Sequence, residues 1–573
     1  TQGQAWIFAD PRYYEQADLE LKQTTIQVSK VGLEDHQTLE EIIENLGREA
    51  LKQGCLLRLG FDPFTVAVYQ YQTWEKRFAA FGITLAPVME NLVDRVRIAQ
   101  AQSNFLEDYD TSPVFSLPDR QTGESVADKL KRIRASLTTA NVDLLPVTKL
   151  DQIAWLYNLR GWDIPYNPVF IAYGLITRNQ AFLFTNLERV PPEIQAILQD
   201  QITLLPYDRY AATLQSLVAE NPGSRVLIDP HHTTMGTYQI LNQAESTCQI
   251  QEGDHPVQTL KACKNATELA QMQQANLKAS RAKLRTLKWV DDQLAAGKQL
   301  TEADVAAAIA GFYAQEPNFQ GLSFNTIAAT GANSSIVHYG TPSADTLLKS
   351  GELLLIDSGA QFAAGTTDDT RTVAIGTPTQ EQIDRYTEVL KAHINCAMQR
   401  FPKGTTGAQL DGITRSTLWQ SSLDYGHGTG HGVGAFLNVH EGPNGISKRV
   451  NTTLEPGMIT SVEPGFYEPG WGGIRIENLY FVREWSAAPA DQPDTSNDKS
   501  AKAAIWYGLE SLTYIPFDKT LIDQNRLTPA QKGWLADYYR EIADKLGSTL
   551  TSEEMDWLQK QISSWTLLNT PPH

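Results

Sequence analysis

The chain has 573 residues, 42% apolar and 20% charged, a length that favours two to four domains and a composition that excludes a mostly disordered protein. Lys and Arg number 48 against 66 Asp and Glu, and the resulting net charge of −18 repels phosphate backbones and argues against a nucleic-acid partner. No apolar run approaches the roughly 18 residues a membrane helix needs, no signal peptide is marked, and Cys55, Cys248, Cys263 and Cys396 form no CxxC pair, so we expect a soluble cytoplasmic protein with no membrane partner. The chain starts at Thr1 rather than Met, which is compatible with a lost upstream segment.

A first domain over 1–120 opens on AWIFADPRYYEQADLEL, a short strand and a polar turn. The strand-like CLLRLGFDP and FGITLAPV then alternate with the helical LEEIIENLGREALK, an α/β texture. EDYDTSPVFSLPDRQTG (107–123), rich in Pro, Asp, Ser and Thr, reads as a linker. A second domain over 121–257 follows with the helical VADKLKRIRASL, the strand DLLPVT, then LDQIAWLYNLRG and the apolar run FIAYGLITRNQAFLFTN. AFLFTNLER echoes AWIFADPRY, which suggests two similar α/β domains in tandem.

The third domain, 258–573, starts with a long amphipathic helix whose Asn265 and Glu268 are spaced as a reciprocal cap. Its segment 484–504, poor in apolar residues, reads as a mobile surface loop. The aromatic tail containing AQKGWLADYYREIADKL suits either core packing or contact with a second subunit. Six of the ten histidines lie in this domain, and the chemistry is sought there.

IDSGAQFAAGTTDDTRT (356–372) reads as a hairpin turning near Gly365 that brings Asp357 beside Asp368 or Asp369. Paired acids repel unless a cation lies between them. Strand alternation lets only one of Asp368 and Asp369 join Asp357, and parity alone does not say which. Strand ends and turn caps are the commoner fate of such acids.

GHGTGHGVG (426–434) spaces His427 and His431 like a helical zinc motif, but its glycines disfavour a helix and the Glu after the first His is absent. In an extended chain the two rings lie about 13 Å apart, so one is a candidate ligand and the other a proton-handling group. The glycines would let the backbone approach a ligand closely. Glu463 precedes a Pro-Gly turn, and Glu477 follows Arg475 by two residues on one strand face, where the arginine is expected to orient it. Carboxylates with one imidazole favour Mn(II), Mg(II) or a similar hard ion, and two such ions about 3.5 to 4 Å apart equip an amide hydrolase.

The motifs LDQIAWLYNLRG, GLSFNTIAATGANSSIVHY, IDSGAQFAAGTTDDTRT, GHGTGHGVGAFLNVHEGP and EPGFYEPGWGGIRIEN resemble those of long-form aminopeptidase P, the three-domain Xaa-Pro aminopeptidases of the creatinase-like metallopeptidases. The resemblance implies an α/β (α+β) chain, two creatinase-N-like α/β domains followed by a pita-bread catalytic domain. The first domain begins partway into the family's pattern, so its opening strands are expected to be missing.

By the same resemblance Asp357, Asp368, His431, Glu463 and Glu477 are the ligands of two divalent ions, Mn(II) first, with Zn(II) or Co(II) as alternatives. His338, His427 and His440 are the catalytic histidines; His338, His440, Trp419 and Arg475 contact or support substrate and site. The implied reaction is attack of a metal-bridging hydroxide on the bond before a proline in second position, on peptides with an N-terminal Xaa-Pro, by a homodimer. The alternatives are a prolidase-type X-Pro dipeptidase and an inactive peptide- or histone-binding protein on the same fold. Ala364 stands where the family usually has Asp, and Asp369 where it often has an apolar residue, for which the sequence offers no account.

Overall fold

The computed structural model describes residues 4–99, 112–243, 248–485 and 505–566. Residues 486–504 of the loop expected over 484–504 and the start of the expected linker, 107–111, lie outside the described residues, while Glu484 and Trp485 of that expected loop end the strand Asn478–Trp485. The chain divides into two units: Thr1–Asp10 with Thr25–Lys261, and Pro11–Thr24 with Ala262–His573.

In the first unit the helix read from LEEIIENLGREALK spans Leu39–Lys52. It starts where Thr38 Oγ1 accepts from Glu41 N and Glu41 Oε2 accepts from Thr38 N, so two otherwise orphaned amides are satisfied. The strands Leu57–Phe61 and Ile83–Pro87 pair in parallel. A mixed six-stranded sheet has the order Thr203–Pro206, Ala181–Thr185, Tyr173–Thr177, Leu144–Val147, Arg225–Ile228, Gln249–Glu252. The proposed echo extends to strand pairing. Trp6–Ala9 runs parallel to Gln27–Lys30 across the helix Tyr14–Leu21, and Ala181–Thr185 runs parallel to Thr203–Pro206 across the helix Pro192–Leu198; Ala181–Thr185 also forms a hairpin with Tyr173–Thr177.

The second unit opens its catalytic segment with the helix Ala266–Ala295. Asn265 Oδ1 accepts from Thr267 N and Glu268 N at 2.9 Å each, and Glu268 Oε2 accepts from Asn265 N at 3.0 Å, as the spacing predicts. Small residues on its buried face, Ala275, Ala279 and Ala282, let it lie close against the sheet strands carrying Ala360 and Phe362. Leu353–Ser358 is the central strand of a three-stranded antiparallel sheet, flanked by Ile327–Thr330 and Asp369–Ala374. A second, six-stranded sheet contains Gly430–Gly432, Glu441–Ile446, Ile459–Val462 and Asn478–Trp485. This is the pita-bread architecture, helices packed over antiparallel sheets; the first unit is α/β.

The aromatic tail is core. Tyr538 and Tyr539 are buried with Phe517 and Leu535, each such side chain contributing about 1.5–3 kcal/mol by leaving water, so this pair is not a contact surface for a second subunit. The turn between the short strands Ala360–Phe362 and Gly365–Thr366 puts Ala364 at φ 74°, in the left-handed region. Asp tolerates that region better than Ala, which gives the departure at this position a physical cost.

Candidate metal centre

The register of the central hairpin decides which acid joins Asp357. Asp357 lies opposite Thr370 and Ser358 opposite Asp369, so the side chains of Asp357 and Thr370 share one face and those of Ser358 and Asp369 the other. Alternation then turns Asp368 toward the face of Asp357. Asp369 points away, into a buried ion pair with Lys283 of the long helix, Nζ to Oδ1 2.9 Å.

On the face of Asp357 a cavity of about 380 Å³ is walled by Asp357, Asp368, His431, Glu463 and Glu477, together with His338, His427, His440 and Arg475. One ligand-capable atom each from Asp368, His431 and Glu477 lies within 4.8 Å of the others. His431 Nε2 is 3.3 Å from Asp368 Oδ2 and 3.5 Å from Glu463 Oε1. His431 Nδ1 is 2.9 Å from the Gly432 carbonyl, which can only accept, so the proton of the neutral ring sits on Nδ1 and the Nε2 lone pair faces two carboxylates. That arrangement is repulsive until a cation or a proton lies between them.

The electrostatics agree. Burial, then the charges of Glu477, Asp357 and Glu463, hold the Asp368 carboxyl well above the usual range. Burial, then Glu463 and Asp357, do the same to Glu477. Burial, opposed by Arg475, pushes Glu463 up to about 8. Four carboxylates and an imidazole in one buried pocket need positive charge to ionise together. Among the described residues Asp357 Oδ1 and Glu477 Oε1 are buried without a hydrogen-bond partner, as atoms awaiting a cation would be. The donor set therefore fits hard divalent ions.

The supporting contacts differ from the sequence expectation in two places. Arg475 bonds Asp357 rather than Glu477, Nη2 to Oδ2 2.6 Å, because the strand Gly472–Arg475 ends before Glu477. Glu477 is held instead by Thr370, whose Oγ1 donates to Oε2 at 2.7 Å. Arg475 is buried. Gly428 and Gly430 of GHGTGHGVG line the cavity, and Gly430 is also small because two sheet strands meet there: a Cβ on it would sit 1.9 Å from the Ser461 carbonyl oxygen.

A hydrogen-bond chain links the acids to the histidines. Arg475 Nη1 donates to Tyr467 Oη at 2.7 Å, Tyr467 donates to His427 Nε2 at 2.9 Å, and His427 Nδ1 donates to the Gly428 carbonyl at 2.7 Å. Burial and Arg475 push the His427 imidazole down to about 3, so it is neutral at working pH. The His440 ring stands edge-on to His431 at 4.2 Å, and the neighbouring His431 with burial pushes it down to about 2. Trp419 lies outside the cavity wall, at the end of the helix Gly407–Trp419 and 52% exposed. No local pattern points to Tyr467, Thr370 or the two cavity-lining residues Arg12 and Tyr13, which lie in a turn hundreds of positions upstream.

Residues 270–484 match metallopeptidase family M24, 107–268 the creatinase/prolidase N-terminal domain, and 505–564 the C-terminal region of the M24 peptidases. The chain is 36% identical to a probable Xaa-Pro aminopeptidase P of Coprinopsis cinerea, covering 98% of this chain and 89% of that one. It is 34% identical to Xaa-Pro aminopeptidase 1 of Dictyostelium discoideum, over 97% and 86% respectively. Its fold superimposes on an X-prolyl aminopeptidase from Caenorhabditis elegans, described as a cytosolic enzyme with a di-nuclear active site, with a TM-score of 0.89 at 30% identity, covering 98% of this chain and 88% of that one. With the M24 match over its acidic cavity and near full-length identity to these relatives, the chain belongs to metallopeptidase family M24, in the Xaa-Pro aminopeptidase P group.

Proposed function

We propose that the chain is a metal-dependent aminopeptidase that removes the first residue from peptides with proline in second position. The observation that carries this reading is the buried cavity in which a neutral imidazole nitrogen faces two carboxylates, His431 Nε2 being 3.3 Å from Asp368 and 3.5 Å from Glu463. In this reading Asp357, Asp368, His431, Glu463 and Glu477 hold two divalent ions, Mn(II) foremost because the donors are mostly oxygen. When bound, such a pair supplies Lewis acidity to the scissile carbonyl and lowers the pKa of water.

The chain's own residues do the rest. Arg475 fixes Asp357 and Thr370 fixes Glu477, so the acids meet the ions in one geometry. His338 and His440 line the cavity as hydrogen-bond donors to the carbonyl oxygen as it gains charge, and His427 is held through Tyr467. Proline, with no N–H and a fixed φ, is handled poorly by sites that need an amide donor, so a dedicated cavity is required.

The same reading includes three domains, 1–120, 121–257 and 258–573, supported at the last boundary by family matches that end at 268 and resume at 270. It includes a homodimer, for which Trp419 and Ile413, 52% and 37% exposed on one helix, offer apolar surface. A cytoplasmic location is supported by the four free cysteines and by the cytosolic relative from Caenorhabditis elegans. The test is a peptide panel with and without added Mn(II). Cleavage of Ala-Pro-Ala before proline is expected; cleavage of Ala-Pro alone would favour a prolidase, and no cleavage of either peptide with metal bound would favour a binding protein.

A further inference from the structure

The segment Pro11–Thr24 packs with the catalytic unit, although the chain on either side of it, Thr1–Asp10 and Thr25–Lys261, belongs to the other unit. It is pinned at two points beside the cavity. Ser335 Oγ, three residues before His338, donates to Glu15 Oε2 at 2.7 Å. Gly426, one residue before His427, has no room for a side chain, since a Cβ there would lie 2.4 Å from Pro11 Cβ. Between these pins Arg12 and Tyr13 reach the cavity wall. Tyr13 Oη lies 2.8 Å from His338 Nδ1, and the two rings meet edge to face, with centroids 5.1 Å apart and planes at 88°.

We propose that Tyr13 is the positioning residue of His338: its hydroxyl donates to Nδ1, which leaves the ring proton on Nε2 and turns an N–H toward the peptide carbonyl oxygen. The partner of one ring nitrogen sets the tautomer at the other, as the Gly432 carbonyl does in the opposite sense for His431. The opposite senses suit the opposite tasks. His431 must present a lone pair to a cation, and His338 must present a donor to an oxygen that gains negative charge. The edge-to-face contact fixes the imidazole plane, and the Glu15 and Pro11 pins keep the tyrosine from swinging away. Segment Pro11–Thr24 is thus a working part of the peptide site, a role its position in the sequence conceals.

The proposal rests on the aminopeptidase reading for its kinetic consequence but not for its structural one. Tyr13→Phe keeps the ring contact and deletes the hydroxyl, so the full chain loaded with Mn(II) should keep its melting temperature and metal content. Its kcat on Ala-Pro-Ala should fall about 10-fold to 100-fold, with KM changed by less than about twofold, because the donor acts on charge that develops only in the transition state. In metal-free, histidine-15N-labelled protein the His338 resonances, assigned by their loss in His338→Gln, should report the Nε2–H form in the parent and a tautomer mixture in Tyr13→Phe. A parent already in the Nδ1–H form, an unchanged tautomer in the variant, or an active parent whose kcat is unchanged by Tyr13→Phe would overturn the proposal. A parent that cleaves no Xaa-Pro peptide would remove the aminopeptidase reading by itself, while the nitrogen resonances still decide the Tyr13–His338 relationship.

Discussion

Lys283 Nζ lies 2.9 Å from Asp369 Oδ1, with both side chains buried, and the same ammonium donates to the backbone carbonyls of Asp369 at 3.1 Å and Ile356 at 3.2 Å. One side chain of the long helix thereby ties together the strand that carries Asp357 and the one that follows Asp368. Asp369 is a structural counter-charge on the far face from the cavity.

Removing one member of this pair leaves a buried charge without its partner, so Asp369→Val should destabilise the fold by about 3–5 kcal/mol, measured by urea unfolding. Lys283→Met combined with Asp369→Val should recover most of that loss. Additive effects of the two changes would contradict a direct pair.

Ala364 holds φ 74° in a buried turn. Ala364→Gly should raise stability by up to about 1 kcal/mol, because glycine adopts that conformation without a Cβ clash. A lower melting temperature in the glycine variant would show that the turn carries no such strain.

Without metal, Glu463 is raised from 4.5 to about 8, and Asp368 and Glu477 are raised in the same direction. A carboxyl whose folded pKa exceeds its unfolded value binds more protons in the folded state between the two. Its stabilisation is present at low pH and lost as pH rises toward the folded value. Chelated protein should therefore melt lower at pH 8 than at pH 6 in scanning fluorimetry, and added Mn(II) should stabilise it more at pH 8, since binding displaces those protons. A melting temperature of the chelated protein that climbs over this interval would count against the crowded-acid description.

Arg475 donates to Asp357 at 2.6 Å and to Tyr467 at 2.7 Å, so it orients a carboxylate and the His427 ring together. Arg475→Met should weaken metal affinity about 10-fold to 100-fold, and Arg475→Lys should recover only part, because an ammonium lacks the two-pronged geometry. Calorimetric titration with Mn(II) reads this directly, and parent-like affinity in Arg475→Met would remove its orienting role.

Much of this was legible in the sequence where the signal is local. The cap at Asn265 and Glu268 spans three residues, and the hairpin around Gly365 lies within one motif, so spacing alone locates them. Choosing between Asp368 and Asp369 needed the pairing register, which the sequence carries only through resemblance. The partners that failed to show are distant. Lys283 is 86 residues from Asp369, Arg475 is 118 from Asp357, and Tyr13 is 325 from His338. Side chains brought together by tertiary packing leave no periodicity or spacing to read. The glycines of GHGTGHGVG were legible in part: Gly428 and Gly430 line the cavity, but the strand that also packs on Gly430 lies thirty-one residues on.

The most direct measurement is metal content by mass spectrometry together with Ala-Pro-Ala hydrolysis, for the parent, Asp368→Asn and Asp369→Asn. The expected result is two divalent ions per active parent chain, loss of metal and activity in Asp368→Asn, and retention of both in Asp369→Asn. Equal tolerance of the two substitutions, or a parent that cleaves the peptide at full rate after complete chelation, would contradict the dinuclear site.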